Sequence, residues 1–137
     1  MSRSPAPAGY SGKSVIAKIG LKPGQTLAVV DAPPHIDDLA APLPEGARMV
    51  THFDPDAAVV WAFVRERSAL EAAAPTITGA APGAMLWISW PKKASRLFRD
   101  LTEDGVRAVL LPTGWVDVKV CAVDADWSGL KFLRRKP

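Results

Sequence analysis

Three short, uninterrupted runs of apolar residues limit the folds that are open to this chain. They are the segments TLAVV at 26–30, AAVVWAFV at 57–64 and AMLWISW at 84–90. A run of this length without alternation is typical of a strand that is buried on both faces, as in parallel sheets. The run at 57–64 is the strongest of the three, and we predict that it lies in the centre of the sheet.

Helical segments and further strands separate these runs. A less hydrophobic strand, GARMVTHF at 46–53, is expected nearer an edge, and two alternating segments at 115–124 and 127–135 predict a closing antiparallel hairpin that turns at 124–126. We expect Pro75 to interrupt the third helix or to begin a new segment. The helix signals are a C-cap at Gly20, Pro34 in a first turn, a capping box of Ser68 and Glu71, an N-cap at Thr102 and a stop by Pro112.

This order of elements predicts the fold class. Helices alternate with buried strands, which favours a mostly parallel sheet covered by helices on both faces. The expected architecture is therefore a three-layer, Rossmann-like α/β domain with a C-terminal antiparallel hairpin, spanning residues 10–137 after a flexible tail at 1–9. In such sheets, ligands bind beyond the carboxyl ends of the strands.

Composition narrows the class of partner. The 137 residues include 17 basic and 14 acidic side chains, and the net charge is +3. The only dense basic cluster is the RRK segment at 134–136, so nucleic acid is an unfavoured partner. The single cysteine, Cys121, excludes an internal disulfide and is expected to be a small buried residue. No secretory segment opens the chain and no apolar run approaches the roughly 20 residues of a membrane span, so we expect a cytoplasmic protein without membrane contact.

Three segments resemble the class I methyltransferase fold: LKPGQTLAVVD at 21–31, APGAMLWISW at 81–90 and the closing hairpin. That resemblance implies a glycine-rich loop after the first strand, which lets backbone N–H groups approach S-adenosylmethionine. Here Asp31 is followed by Ala32, Pro33 and Pro34 instead. Because proline has no N–H donor, we expect the backbone site that would hold S-adenosylmethionine to be missing. We also expect the turn to fill the space of the cofactor, and no cofactor to be bound.

A second resemblance covers nearly the whole chain after the tail. The segments YSGKSVIAKIGLKPG, LWISWPKKAS, DLTEDGVR, VDVKVCAVD and WSGLKFLRRK are similar to a small bacterial family known only as a domain of unknown function. This resemblance implies no activity and transfers no catalytic residue.

The segment WPKKAS is the strongest candidate site. Pro91 is expected to end a strand, so that basic side chains emerge at the carboxyl edge of the sheet, where they suit a phosphate or carboxylate. A solvated basic loop is the alternative, and Trp90 is either the floor of a pocket or a core residue. The proposed anion ligands are Lys92, Lys93, Ser95 and Arg96, with Arg99 nearby.

Other polar residues follow the predicted strands. Asp31, His35 and Asp54 are candidates for the crevice, and Asp54 stands where an acid could meet ribose hydroxyls. Together with His52 they contain two histidines and two carboxylates, but their spacing does not specify a metal site, and capping or solvent exposure explains each of them.

The sequence therefore favours a binding or regulatory domain that is not catalytic, with a small anionic ligand against Lys92, Lys93 and Ser95. Two alternatives stay open. One is a divergent methyltransferase or another nucleotide-dependent enzyme, which needs a roomy pocket at the ends of the first and third strands. The other is a module that binds a protein partner, which needs an exposed apolar patch.

Overall fold

A single six-stranded sheet organises the protein, for which a computed structural model describes residues 14–136. The tail predicted at 1–9 lies outside the described residues. The strands are β1 (Thr26–Val30), β2 (Arg48–Val50), β3 (Val59–Phe63), β4 (Met85–Pro91), β5 (Trp115–Ala122) and β6 (Trp127–Arg134). The helices are α1 (Val15–Ile19), α2 (Ile36–Leu39), α3 (Arg67–Ile77) and α4 (Glu103–Leu110), and a 3-10 turn follows at Leu111–Thr113.

The strand order is β2-β1-β3-β4-β6-β5. The first four strands are parallel, and β6 pairs antiparallel with both β4 and β5. The predicted mostly parallel sheet with a closing hairpin is therefore confirmed, as are the central position of β3 and the edge position of β2. In the part of the chain that the structure describes, no helix has the length and apolarity needed to cross a membrane.

Apolar side chains cover both faces of the sheet. Alternate strand residues such as Leu27 and Trp61 pack against α1 and α2, whereas Ala28 and Leu86 pack with α3 and α4 on the other face. All five residues of β3 are buried. This arrangement gives three layers, and it explains why the central strands are continuously apolar.

Two buried tryptophans on the α1–α2 side have their indole N–H groups satisfied. The Nε1 of Trp61 donates to Ser89 Oγ at 2.8 Å, and the Nε1 of Trp87 donates to the carbonyl oxygen of Ile19 at 2.9 Å. The second bond ties α1 to the centre of the sheet. Among the described residues, no buried side-chain nitrogen or oxygen lacks a hydrogen-bond partner.

Two of the predicted helix ends are confirmed, the end of α1 and the start of α4. Gly20 closes α1 in the left-handed conformation at φ 94°, and the Thr102 side chain accepts a hydrogen bond from the N–H of Gly105 at the start of α4. Pro34 was expected in the first turn of α2, but it lies before the N-cap residue His35, outside the helix.

The predicted start of α3 is wrong. The helix begins at Arg67, before Ser68, and its N-cap position is Glu66. The N–H of Arg67 donates to Asp100 Oδ1 at 3.0 Å, so a residue from a distant loop caps this helix. Pro75 neither ends nor divides the helix, which continues to Ile77.

An ion-pair network joins α4 to the edge strand β5. The Arg107 Nε donates to Asp117 Oδ2 at 2.8 Å, and the same guanidinium also pairs with Glu103 and Asp104. The hydrogen bond from Arg107 holds the pKa of the Asp117 carboxyl below its ordinary value.

This lowered pKa predicts a pH-dependent stability. A carboxyl with a depressed pKa in the folded state stabilises the fold above its unfolded pKa, and the contribution disappears as the pH falls through the folded pKa. We expect Asp117→Asn to lower the free energy of unfolding at neutral pH and to converge with the wild type in acid. Urea denaturation between about pH 7 and 2 measures this. Asp56→Asn is the control, because Asp56 is exposed and its side chain has no ion-pair partner among the described residues; a difference for Asp117→Asn that did not change with pH would contradict the prediction.

Candidate functional site

The main cleft lies where the chain order of the sheet reverses. From β1 the chain adds β2 on one side and then crosses to β3 on the other, and this switch point is where open α/β sheets bind ligands. The cleft has a volume of about 400 Å³, which lies within the range of small-molecule sites. Its lining residues are Asp31, Ala32, Pro33, Pro34, Phe63, Val64, Arg65, Glu66, Ala69 and Trp127.

The turn after β1 forms one wall of this cleft. Asp31 has a φ of 55°, which is uncommon for a residue other than glycine, and its carboxylate is exposed at the lip. Pro33 is buried, and its carbonyl accepts the N–H of Ile36 at 3.1 Å. We expected the proline turn to fill the space of a cofactor, but the structure shows an open cleft directly against it. The turn is compact because two fixed proline φ angles and the bond to Ile36 restrain it.

The opposite wall follows β3. Arg65 and Glu66 occupy the turn between the end of β3 and the start of α3, and both side chains are exposed. Glu66 lies 3.9 Å from the guanidinium of Arg99, while Arg65 has no ion-pair or hydrogen-bond partner among the described residues. A free guanidinium at the mouth of a cleft suits an anionic group of a ligand.

Two aromatic side chains form the floor. Phe63 and Trp127 are each 3% exposed, and their rings meet edge to face with centroids 5.1 Å apart. Trp90, which we considered as a floor, is buried among residues of the α3–α4 side and is a core residue. Of the two roles considered for Trp90, the structure shows the core residue, and the aromatic residue of the cleft comes from the hairpin instead.

The basic loop after β4 is attached to the hairpin. The Ser95 Oγ donates to Asp126 Oδ1 at 2.8 Å and accepts from the N–H of Leu97, so this hydroxyl is already engaged. The N–H of Lys92 donates to the carbonyl oxygen of Asp126 at 2.8 Å. Among the described residues, the side chains of three cations in this loop have no partner: Lys92, Lys93 and Arg96. None of them lines the cleft, although Arg99, further along the loop, reaches Glu66 at its rim.

The remaining crevice candidates hold turns together. The Nε2 of His35 lies 2.8 Å from Asp124 Oδ2, which joins the start of α2 to the hairpin turn. The Oδ1 of Asp54 accepts the N–H of Asp56, and the Nδ1 of His52 lies 3.1 Å from the carbonyl oxygen of Phe53. Between residues 14 and 136, no group of three or more metal-ligating side chains is arranged to hold an ion. The structure therefore brings Asp31 to the cleft, but not His35 or Asp54.

The most informative residues of the cleft escaped the sequence analysis. Arg65 and Glu66 follow the strongest apolar run directly, and polar residues at the end of a central strand are a usable signal for a site. Trp127 had no such signal, because its approach to Phe63 depends on the pairing of β6 with β4.

The resemblance to class I methyltransferases implies S-adenosylmethionine, and the residues of the cleft do not fit this cofactor in the expected way. Between β1 and α2 the N–H groups of Pro33 and Pro34 are missing, and no glycine allows close backbone approach. The four residues of α2 are also too few to provide a strong helix N-terminus. We therefore assign no reaction step to this cofactor.

Comparison with solved structures identifies the fold. A SAM-dependent methyltransferase from Aquifex aeolicus superposes with a TM-score of 0.60 at 16% sequence identity, covering 86% of both chains. The magnesium protoporphyrin IX methyltransferase from Synechocystis, solved with bound SAM, gives a TM-score of 0.53 at 11% identity over 88% of this chain and 74% of that one. A possible exported protein from Bordetella parapertussis gives 0.63 at 11% identity, covering 89% of this chain and 66% of its own.

These similarities define the class of the domain. The protein has a methyltransferase-like Rossmann fold, and at such low identity the likeness extends to the fold alone. No protein-family model and no curated protein matches the chain. Its resemblance to a family of unknown function therefore stays a prediction.

Proposed function

We propose that this chain is a non-catalytic binding domain whose cleft between β1 and β3 receives a small ligand with a flat apolar part and an anionic group. The observation that carries the proposal is the cleft itself, which combines a buried aromatic floor with Asp31 and Arg65 on its two lips, whose side chains have no partner among the described residues. Phe63 and Trp127 back the cleft with apolar side chains, the exposed Pro34 and Ala69 add apolar surface, and Arg65 offers a guanidinium to the anion. Asp31 can accept a hydrogen bond from a hydroxyl or amine of the same ligand.

The composition of the lining favours binding over covalent catalysis. None of the lining residues is a serine, cysteine, histidine, lysine or tyrosine, so the carboxylates of Asp31 and Glu66 are the only groups of the lining that could act as acid, base or nucleophile. Lys92 and Lys93 extend the positive charge along the neighbouring loop.

A divergent methyltransferase is the second candidate. The open cleft at the ends of β1 and β3 favours it, because a roomy pocket at that place is the feature that we expected an enzyme to need, and this is the region where the fold class binds nucleotides. The proline turn argues against it, because two of the backbone donors that a cofactor carboxylate or ribose would use are absent.

Titration calorimetry of the purified chain distinguishes these functions. The probes are S-adenosylmethionine, S-adenosylhomocysteine, nucleoside monophosphates and aromatic carboxylates. We expect one of the two anionic classes to bind and the adenosyl compounds not to bind. Arg65→Ala should then weaken binding by roughly 10- to 100-fold, the effect of losing one hydrogen bond to a charged group. Lys119→Ala, which removes an exposed cation from β5, is the matched control.

Three other results of the calorimetry would contradict the proposal or change the position of the site. Tight binding of S-adenosylmethionine would overturn the proposal in favour of the methyltransferase. Weakening by Lys92→Ala/Lys93→Ala but not by Arg65→Ala would move the anion site to the basic loop. No binding of any probe would contradict a small-molecule site and favour a protein partner, for which Val118 and Val120 are exposed on the edge strand β5.

A further inference from the structure

A second concave surface lies at the opposite edge of the sheet from the cleft. Because β6 runs antiparallel to β4, its last residues lie beside the beginning of β4, at the amino edge of the parallel strands. The amino-edge groove there has a volume of about 320 Å³ and is lined by Pro82, Arg134, Arg135 and Lys136. It includes the only dense basic cluster of the sequence, which the proposed function does not use.

The structure anchors this groove at two points. The guanidinium carbon of Arg134 lies 5.8 Å from the ring centroid of Trp115, a buried residue whose Nε1 donates to the carbonyl oxygen of Thr78 at 3.1 Å. The backbone N–H of Arg135 donates to the carbonyl oxygen of Gly114 at 2.7 Å. The backbone that presents the cations is thus held against the start of β5, and the Arg134 side chain rests on an aromatic surface.

Among the residues that the structure describes, no acid compensates the positive charge of the groove. Three of its four lining residues are cations and none is a carboxylate. Over residues 14–136, none of these three side chains takes part in an ion pair with an acid. Like charges at such close quarters repel one another, and a multivalent anion in the groove would remove that repulsion.

We propose that the amino-edge groove binds a phosphate-bearing ligand with at least two adjacent phosphate groups. Arginine guanidinium groups present parallel N–H donors that match phosphate oxygens, and the lysine adds a compact charge. A single phosphate would leave part of the charge of three cations uncompensated, whereas a diphosphate matches it more closely. The diphosphate can belong to a free metabolite, or the adjacent phosphates to the backbone of a polynucleotide.

Titration calorimetry with inorganic pyrophosphate tests this site on the full chain. We expect pyrophosphate to bind, and its affinity to fall as salt is raised to about 150 mM. Arg135→Ala/Lys136→Ala leaves Arg134 on Trp115 and should weaken binding about tenfold or more. Lys119→Ala/Lys131→Ala removes the same charge from the same hairpin outside the groove, and it should change the affinity far less. Thermal denaturation verifies that both double variants remain folded.

A competition experiment identifies the source of the phosphates. A short single-stranded oligonucleotide that displaces pyrophosphate assigns the groove to a polynucleotide, and one that does not displace it assigns the groove to a metabolite. The proposal is overturned if pyrophosphate does not bind, if both double variants weaken it equally, or if Lys92→Ala/Lys93→Ala abolishes binding instead. A failure of this test leaves the cleft proposal intact, because the two sites lie at opposite edges of the sheet.

Discussion

Trp87→Ala should destabilise the fold by about 3–5 kcal/mol, a large part of the stability of a domain of this size. Trp87 is fully buried at the centre of the sheet, and its indole N–H supports α1 through the carbonyl oxygen of Ile19. The substitution leaves a large cavity in the α1–α2 side and an unpaired carbonyl group. We expect the melting temperature to fall by roughly 10–20 °C, measured by circular dichroism.

A second variant at this position separates packing from hydrogen bonding, and a variant at an exposed site serves as the control. Trp87→Phe retains most of the ring but not the donor, and we expect a smaller loss of about 1–3 kcal/mol. Val118→Ala removes an apolar side chain that is 50% exposed on β5, and it should change stability by less than about 0.5 kcal/mol. If Trp87→Ala behaved like Val118→Ala, Trp87 could not occupy the buried position described above.

The sheet was predictable because its signals are carried by consecutive residues. The continuous apolarity of β1, β3 and β4 reports burial on both faces, and this burial depends only on the presence of helices on either side. The closing hairpin was equally predictable from the sequence. Asp124 accepts the N–H groups of Asp126 and Trp127, so the turn is stabilised by its own residues.

The start of α3 was not predictable for the opposite reason. Ser68 and Glu71 have the spacing of a capping box, but the helix begins one residue before Ser68 because Asp100 caps it from a distant loop. A local pattern cannot report a hydrogen bond between residues that are 33 positions apart. The same limit applies to Pro75, since tertiary packing retains a helical turn that the local sequence disfavours.

The candidate site also has residues that the sequence identifies and contacts that only the folded sheet creates. Asp31 was identified because it directly follows a strong strand, and such positions meet at the carboxyl edge of the sheet. The basic loop was identified too, but the hydrogen bond between Ser95 and Asp126 depends on how β6 pairs with β4. The floor formed by Phe63 and Trp127 depends on that same arrangement, so it is a property of the folded sheet and of no single segment.

Steric closure of the cleft provides the strongest test of where a ligand binds. Ala69 lies on α3 and lines the cleft, and its small side chain leaves the mouth open. Ala69→Trp should place a large ring in the cleft and weaken the binding of any ligand found by calorimetry by about 100-fold or more, since the ring occupies the space that the ligand needs.

The control for this closure is Ala72→Trp. Ala72 is exposed on the same helix, but it does not line the cleft, so the same added ring should leave affinity unchanged. The two variants should also have similar unfolding free energies, because both sites are exposed to solvent. Equal affinities for Ala69→Trp and Ala72→Trp would place the ligand outside the cleft. Loss of binding in Ala69→Trp alone, with pyrophosphate binding at the amino-edge groove retained, would establish two separate sites on one methyltransferase-like sheet.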